Sequence, residues 1–318
     1  MRFRDFLASA EALQLEALTG ELGLDRLVPD ADIGSPGLAL AGFHGRFMPD
    51  RLHVLGETEI TYLASLSSEA RTASLEGFFQ YDLPVVFITK GLEPPEPLLA
   101  LASDRHVPIL RTRLKTAEFY KRIKPIIEDA FAPRTSLHGS LADVYGVGLL
   151  FVGRSGIGKS ECVLDLVERG HRLVADDVVK VIRRGNDVLL GQGHEMAAHH
   201  MEIRGVGLID IPALFGVRAV RQQKRIEVVV QLEDWETAQG ADRTGLQRDM
   251  QTILDVPIPK VIVPLNPGKN ITVVAEVVAM MHLLRYSGVD VAAAFNERLI
   301  KKMREKRGVR EYLRDDFE

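Results

Sequence analysis

The first part of the chain alternates short apolar runs with segments of helical apolar spacing. Residues Phe6–Leu18 carry apolar side chains at helical intervals, which predicts a helix ending near Gly20. The run Pro84–Thr89 predicts a buried strand, Pro94–Leu101 a helix opened by prolines, and Val107–Leu110 a second short strand. This succession predicts two parallel strands joined by a crossover helix.

A change in pattern near residue 132 predicts a domain boundary. The helical spacing of Thr116–Phe131 ends at the helix-breaking triplet Ala132-Pro133-Arg134. We therefore expect a small N-terminal α/β domain over residues 1–132, whose role the sequence leaves open, and a C-terminal domain over residues 133–318. The predicted fold class is α/β with two domains, and each is long enough to bury a core of its own.

The second domain contains a strand followed closely by a helix. The apolar run Val147–Val152 predicts the strand, and Glu161–Arg169 has the pattern of the helix. Further along, Gly288 would stop one helix and Asp290 would cap the next. The other patterns predict strands over 172–181 and 225–232 and helices over 274–286 and 290–304.

The segment between that strand and helix has the complete form G-x-x-x-x-G-K-S. Its residues are Gly153, Arg154, Ser155, Gly156, Ile157, Gly158, Lys159 and Ser160. Glycines at these places let backbone N–H groups turn toward phosphate oxygens, and the helix N-terminus adds partial positive charge. Lys159 would reach the β- and γ-phosphates, and the Ser160 hydroxyl would help to hold Mg²⁺. The motif therefore predicts binding of ATP or GTP.

Composition narrows the possible partners and the compartment. The chain has 318 residues, 46% hydrophobic and 26% charged, with a net charge of −4, which gives no reason to expect a nucleic acid as partner. Cys162 is the single cysteine, so an intrachain disulfide is impossible. No segment approaches the length of a transmembrane helix, and the charged segment Met1–Phe6 is unlike a signal peptide. We expect a cytoplasmic protein that does not enter a membrane.

Two adjacent acids follow the phosphate loop unusually soon. Asp176 and Asp177 end a short strand, 17 and 18 residues after Lys159 in the sequence. A carboxylate there can ligate Mg²⁺, directly or through water, and a second can accept the proton of an attacking hydroxyl. Mutual repulsion is expected to raise the pKa of at least one of them. The alternative is a solvated turn or a helix cap.

A second polar segment lies between apolar anchors at Met201–Asp210. Its glycines allow the backbone to pass close to a ligand, and Glu202 could supply an oxygen to Mg²⁺. A strand with a tight turn would have a similar sequence. His138 is ambiguous by itself, because many single histidines are structural. The histidines at 194, 199 and 200 lack the accompanying carboxylate or cysteine pattern of a metal site.

Together these segments resemble the bacterial HPr kinase/phosphorylase family. The early Asp176-Asp177 pair and the segment around Glu202 are its most specific elements, with the phosphate loop running directly into Glu161. The N-terminal stretch Ser35–Gly42 also resembles the family. The matching segments are His138-Gly139, Gly153–Glu161, Ala175–Asp177, Glu202–Asp210, Asp242-Arg243 and Val256–Asn270.

The resemblance implies a particular reaction. Members of the family use ATP and Mg²⁺ to phosphorylate a seryl hydroxyl of HPr, the phosphocarrier protein of the sugar phosphotransferase system, and thereby regulate carbon metabolism. They reverse the reaction with inorganic phosphate, releasing pyrophosphate, and assemble as homohexamers. By position, Lys159 matches the phosphate-loop lysine, Ser160 and Glu202 match the Mg²⁺ ligands, and Asp177 matches the acid that exchanges the seryl proton. Asp176 is the second choice for that acid, and His138 and Arg243 match further active-site positions.

One segment departs from the family pattern. Where relatives often have Pro-Val-Arg-Pro-Gly-Arg-Asn, this chain has Pro-Leu-Asn-Pro-Gly-Lys-Asn over residues 264–270, so Asn266 replaces a basic residue and Lys269 keeps one. The resemblance ties this segment to phosphorolysis, which we therefore expect to be weakened. Two alternatives remain: a small-molecule kinase or ATPase with the same loop, and a non-catalytic nucleotide sensor. The sequence shows no signature of a small-molecule pocket, and a pure sensor has little use for a proton acceptor.

Overall fold

The chain forms two compact units, residues 1–132 and 133–318. The structure is a computed structural model that describes residues 1–194, 199–236, 249–265 and 270–315, with side chains described as far as residue 304. Both units combine helices with β-sheets. The prediction of a mixed α/β protein is therefore confirmed.

The N-terminal unit is a five-stranded sheet covered by helices. Its strands are β1 (Glu16–Ala17), β2 (Ile33–Gly34), β3 (Leu52–Leu55), β4 (Val86–Ile88) and β5 (Ile109–Arg111). Its helices are α1 (Phe3–Ala8), α2 (Gly37–Leu40), α3 (Glu57–Ser65), α4 (Ser68–Phe79), α5 (Glu96–Asp104) and α6 (Thr116–Ala130). The strand order is β1-β5-β4-β3-β2, with β2 to β5 parallel and β1 antiparallel to its neighbour.

The predicted strand–helix–strand unit is confirmed as β4, α5 and β5, with Val86 opposite Ile109. Successive residues of β4 enter separate apolar clusters, since Phe87 packs with Phe119 and Ile88 packs with Leu63. Alternate side chains of a strand point to opposite faces. The sheet is therefore buried on both faces, which explains why its strands are continuously apolar.

The predicted helix over 6–18 is wrong in its extent. Helix α1 ends at Ala8, a 3-10 turn follows over Glu11–Leu13, and Gln14 has a left-handed backbone with φ 51°. The next residues form β1, where Glu16 pairs with Arg111 in both the strand register and a side-chain ion pair. Phe6 and Leu13 are both buried, as the helical spacing of the sequence also predicted. Pairing of β1 with the edge of the sheet thus decides the structure of the residues that follow them.

The C-terminal unit contains two larger sheets and a separate hairpin. Its first strands are β6 (Arg134–His138), β7 (Ser140–Val144), β8 (Val147–Val152), β9 (Arg172–Ala175), β10 (Val178–Arg184) and β11 (Val188–Gln192). The later strands are β12 (His200–Ile203), β13 (Gly207–Asp210), β14 (Gln223–Arg225), β15 (Val228–Asp234), β16 (Asp249–Ile253) and β17 (Val256–Leu265). Its helices are α7 (Lys159–Glu168), α8 (Ile211–Phe215), α9 (Ile271–Tyr286) and α10 (Val291–Asp315).

The larger sheet has the order β16-β17-β15-β8-β7-β9, with β17, β15 and β8 parallel. The smaller sheet has the order β14-β11-β10-β6, and β12 pairs with β13. One apolar cluster joins the two sheets, including Leu150 of β8 and Val181 of β10. A second cluster packs α7 and α9 on the other face of the larger sheet. Strand β8 is thus held from both sides immediately before the glycine-rich segment.

The two C-terminal helices begin close to their predicted positions, but the second runs to Asp315 and not to residue 304 as predicted. Asp290 accepts a hydrogen bond from the Ala293 backbone N–H at 3.1 Å, as expected of a cap, and Gly288 has φ 85° beyond the end of α9. No single helix of the described chain is long and apolar enough to cross a membrane. The segments 271–286 and 291–304 reach that length and composition only as a pair bent by 75°.

Candidate active site

The segment 153–158 forms a tight loop between β8 and α7. Gly153, Gly156 and Gly158 all have positive φ, at 151°, 74° and 103°. A Cβ on Gly153 would lie 2.7 Å from the Leu232 carbonyl oxygen, so only glycine fits there. The loop leads into the N-terminus of the ten-residue helix α7. Unpaired backbone N–H groups and the helix dipole make this place suitable for a phosphate.

The Lys159 ammonium group is buried on the loop itself. Only 6% of the residue is exposed. Its Nζ donates to the carbonyl oxygens of Gly153 and Arg154, each at 3.1 Å, and lies 3.4 Å from His138 Nε2. These carbonyl contacts hold the ammonium beside the loop backbone, where a phosphate oxygen could accept from it.

The two adjacent aspartates have different surroundings. Asp176 Oδ1 accepts hydrogen bonds from the hydroxyls of Ser160 at 3.0 Å and Ser140 at 2.5 Å. Burial raises the pKa of Asp176, and the Asp177 charge adds to that rise, while the two hydroxyls oppose it. This carboxylate therefore lies beside the Ser160 hydroxyl, which the sequence predicts as a ligand of Mg²⁺.

Asp177 instead faces the solvent and His138. Its side chain is 74% exposed, and its carboxylate lies 3.1 Å from His138 Nδ1. The backbone of Asp177 is left-handed, with φ 63°, and its carbonyl accepts from the Gly139 N–H at 2.9 Å. If Nδ1–H donates to Asp177, Nε2 is free to accept from Lys159, so a neutral imidazole satisfies both contacts.

The hairpin β12–β13 lies against the same loop. Met201 is buried with Ile157 of the loop, whereas Glu202 is exposed. Arg204, at the turn, contacts Gly156: a Cβ there would lie 2.6 Å from Arg204 Nη2. No ion pair or hydrogen bond of Arg204 occurs among the described residues, so its charge is available to a phosphate. Sequence reasoning placed this segment near the site but assigned no role to Arg204.

The structure does not bring every predicted residue together. Within the described chain, no hydrogen bond joins Glu202 to Ser160. The Arg154 side chain is engaged with Asp234, through Nε at 2.7 Å and Nη2 at 2.9 Å, so it ties the loop to the end of β15. Sequence reasoning missed this pairing. Arg243 and the segment 266–269 lie outside the described residues.

The ability of the site to bind a metal ion depends on the donor atoms that its side chains supply. Among the described residues there is no cluster of three or more histidine, cysteine or acidic side chains that could hold a metal ion. The histidines at 194, 199 and 200 therefore do not form such a cluster with one another. The hydroxyl of Ser160 and the carboxylates of Asp176 and Glu202 are hard oxygen donors. Mg²⁺ prefers such donors and commonly fills its remaining positions with water and substrate phosphates, so the residues fit this ion.

Comparisons with known proteins cover nearly the whole length of the chain. The family described as HPr Serine kinase N terminus matches residues 4–127, and the HPr Serine kinase C-terminal domain matches residues 129–299. HPr kinase/phosphorylase of Chloroherpeton thalassium is 42% identical over 99% of this chain and 95% of its own. The proteins of that name from Geobacter sulfurreducens and Treponema pallidum (strain Nichols) are 43% and 41% identical over at least 95% of each chain.

A solved structure of the Hpr(Ser) kinase/phosphatase from Coxiella burnetii is also similar, with 32% identity and a TM-score of 0.46, covering 51% of this chain and 99% of that one. The matches define the class of protein as an enzyme of the kinase/phosphorylase type. The chain belongs to the HPr serine kinase family, through both its N-terminal and its C-terminal domain. The resemblance inferred from its motifs is confirmed.

Proposed function

We propose that the protein transfers the γ-phosphoryl group of ATP to a seryl hydroxyl of HPr and reverses the transfer with inorganic phosphate. The observation that carries this proposal is the line of side chains Asp177, His138 and Lys159, with successive contacts of 3.1 and 3.4 Å. An exposed carboxylate thus lies one imidazole away from the ammonium of the phosphate loop. That arrangement suits a site that handles one proton and one phosphoryl group.

In the forward direction, the Asp177 carboxylate accepts the seryl proton as the seryl oxygen forms its bond to the γ-phosphorus. The bond from that phosphorus to the ADP oxygen breaks, and Lys159 balances the charge on the transferring group. His138 orients the Asp177 carboxylate. The exposed position of the Asp177 carboxylate leaves room for a protein substrate, which could not enter a small buried pocket.

In the reverse direction, an oxygen of inorganic phosphate forms a bond to the phosphorus of phosphoseryl HPr. The bond to the seryl oxygen breaks, Asp177 returns the proton to that oxygen, and pyrophosphate leaves. One loop serves both directions because it can hold either the phosphates of a nucleotide or pyrophosphate.

We propose Ser160 and Glu202 as the Mg²⁺ ligands, and Asp176, hydrogen-bonded to the Ser160 hydroxyl, as a further ligand directly or through water. Bound Mg²⁺ would neutralise charge on the phosphate oxygens. We also propose Arg243 as a further cation at the site. From the family resemblance we propose a homohexamer located in the cytoplasm, with its assembly measurable by native mass spectrometry.

The test uses γ-labelled ATP, Mg²⁺ and HPr, followed by excess phosphate. We expect label first on a seryl residue of HPr and then in pyrophosphate. ATP turnover that is indifferent to HPr would contradict the proposal and favour the alternative of a small-molecule kinase or ATPase. The same assay without phosphate provides the control for spontaneous loss of label.

Arg204→Gln is expected to weaken both directions by about 10- to 100-fold, because it removes a cation that lies against the phosphate loop at Gly156. Initial rates of seryl phosphorylation and of pyrophosphate formation provide the measurement. Arg218→Gln is a matched control, since Arg218 is also exposed in the same unit and should leave both rates unchanged. Equal rates for the two variants would show that Arg204 takes no part in the reaction.

Asn266→Arg is expected to increase pyrophosphate formation several-fold, because it restores a basic residue in the segment that the family resemblance ties to phosphorolysis. The ratio of reverse to forward rate is the quantity to measure, since a general gain in activity would raise both. Asn270→Arg tests whether any added charge nearby has the same effect. An unchanged ratio in Asn266→Arg would show that this position does not limit the reverse reaction.

A further inference from the structure

The N-terminal unit contains a pocket whose residues are distant in sequence from the phosphate loop. It has a volume of about 160 Å³ and lies between the end of β2 and the start of β3, beside the loop 41–51. A dry cavity of about 150 Å³ can hold a benzene molecule, so this one accepts a group of similar size. We call it the N-terminal pocket; the residues used below are Ser35, Phe43, Arg46, Phe47, Arg51 and His53.

Among the residues that the structure describes, two arginines and no acidic side chain line the N-terminal pocket itself. Arg51 Nη2 pairs with Asp32 at 2.9 Å, but Arg51 Nε is buried and has no hydrogen-bond partner in the described chain. The described residues include no ion-pair partner for Arg46, whose side chain is exposed. A buried donor without an acceptor is costly, and an anion in the pocket would supply one.

The other polar side chains of the pocket, Ser35 and His53, carry no charge near pH 7. Ser35 donates its hydroxyl to Glu59, whose other oxygen accepts from the Gly56 N–H at 2.9 Å, so that carboxylate is already engaged. Burial lowers the pKa of His53 to about 4, and its Nε2 lies 3.2 Å from the Pro49 carbonyl. The imidazole is therefore neutral near pH 7, so the charged side chains that line the pocket are Arg46 and Arg51, with the acids Asp32 and Glu59 adjacent.

The other side of the N-terminal pocket is apolar. Phe47 stacks on His53 with ring centroids 5.0 Å apart. Phe43 is 55% exposed, although the exposure of a phenyl ring to water is unfavourable. Leu38 and Met48, also lining the pocket, are exposed as well. A ligand with one apolar face would cover these side chains.

We propose that the N-terminal pocket binds a small organic anion, with its charged group on Arg51 and Arg46 and its apolar body against Phe43 and Phe47. The charged group is a phosphomonoester or a carboxylate, since both accept bidentate hydrogen bonds from a guanidinium. The volume of the pocket is sufficient for a body of about one six-membered ring. This inference does not depend on the reaction proposed for the C-terminal unit.

The test measures binding to the full-length chain by ¹⁹F NMR of three probes: 4-fluorophenyl phosphate, 4-fluorobenzoate and the uncharged 4-fluorobenzyl alcohol. We expect saturable binding of at least one anion and none of the alcohol. Preference for the phosphate or for the benzoate identifies the charged group. Equal binding of the alcohol, or no saturable binding of either anion, would overturn the proposal.

Variants locate the binding. Arg46→Gln and Phe43→Ser alter exposed side chains, so the fold should persist, and each is expected to weaken binding about tenfold. Arg113→Gln is the matched control, an exposed arginine of the same unit, and should bind normally. Lys159→Met serves as a second background, because binding that disappears there but persists in Arg46→Gln belongs to the phosphate loop and contradicts the proposal.

Protection of arginine side chains from chemical modification provides a test that does not require a variant. Phenylglyoxal modifies exposed arginines, and mass spectrometry of peptides can follow Arg46 and Arg113 in one sample. The bound anion is expected to slow modification of Arg46 at least several-fold and to leave Arg113 unaffected. Equal rates with and without the anion would count against the pocket.

Discussion

Lys159→Met is expected to lower both seryl phosphorylation and pyrophosphate formation by at least about 10³-fold, because it removes the cation that we propose neutralises the transferring phosphoryl group. Methionine keeps nearly the same length, so packing is little altered. Rates would be measured with γ-labelled ATP and HPr, and with phosphoseryl HPr and phosphate.

The control for this variant must separate lost chemistry from lost structure, because Lys159 also bonds two loop carbonyls. Thermal unfolding and circular dichroism would establish that the variant folds. Lys180→Met, in the same unit on β10, should retain both activities. A Lys159→Met protein that is folded and still active within tenfold would show that the loop does not hold the reacting phosphates.

Asp177→Asn is the second large effect that we expect. Removing the proposed proton acceptor should lower the phosphorylation rate by about 10²- to 10⁴-fold. Nucleotide affinity should be unchanged, because among the described residues the side chain of Asp177 is connected to the phosphate loop by polar contacts only through His138. Single-turnover rates and titration with a fluorescent ATP analogue would measure the two properties separately.

Asp176→Asn provides the matched comparison, since it removes the adjacent carboxylate. Asp176 contacts Ser160, which we propose as a Mg²⁺ ligand, so this variant should raise the Mg²⁺ concentration needed for half-maximal rate while retaining Asp177, the proposed proton acceptor. The two variants thus have different expected signatures. Full transfer by Asp177→Asn together with loss in Asp176→Asn at saturating Mg²⁺ would reverse the assignment of the base.

The local sequence was sufficient to predict the parts of the fold that depend on residues close together in the chain. Glycines at fixed intervals, a preceding apolar run and a following helix predicted the tight loop between β8 and α7, and β-branched runs predicted the unit of β4, α5 and β5. The helix over 6–18 failed because β1 gains a partner, Arg111, that lies 95 residues away from Glu16. Apolar spacing carries no information about such a partner.

The same limit applies to the candidate site. Adjacent aspartates signalled acid–base chemistry, but only the folded chain separates one that faces Ser160 from one that faces His138. The contact of Arg204 with Gly156 and the pairing of Arg154 with Asp234 also join distant positions. Neither has a local signal. The N-terminal pocket likewise depends on β2 and β3 being neighbours.

The antiparallel pairing of β6 with β10 has a consequence for how the chain tolerates insertions and deletions. Val178 lies opposite His138 in that pairing, so the imidazole and the Asp177 carboxylate meet because of strand alignment. One additional residue between Asp177 and Val178 would move the carboxylate away from the position opposite His138. Chain-length variation among relatives should accordingly avoid this turn and accumulate in the exposed hairpin at 185–187.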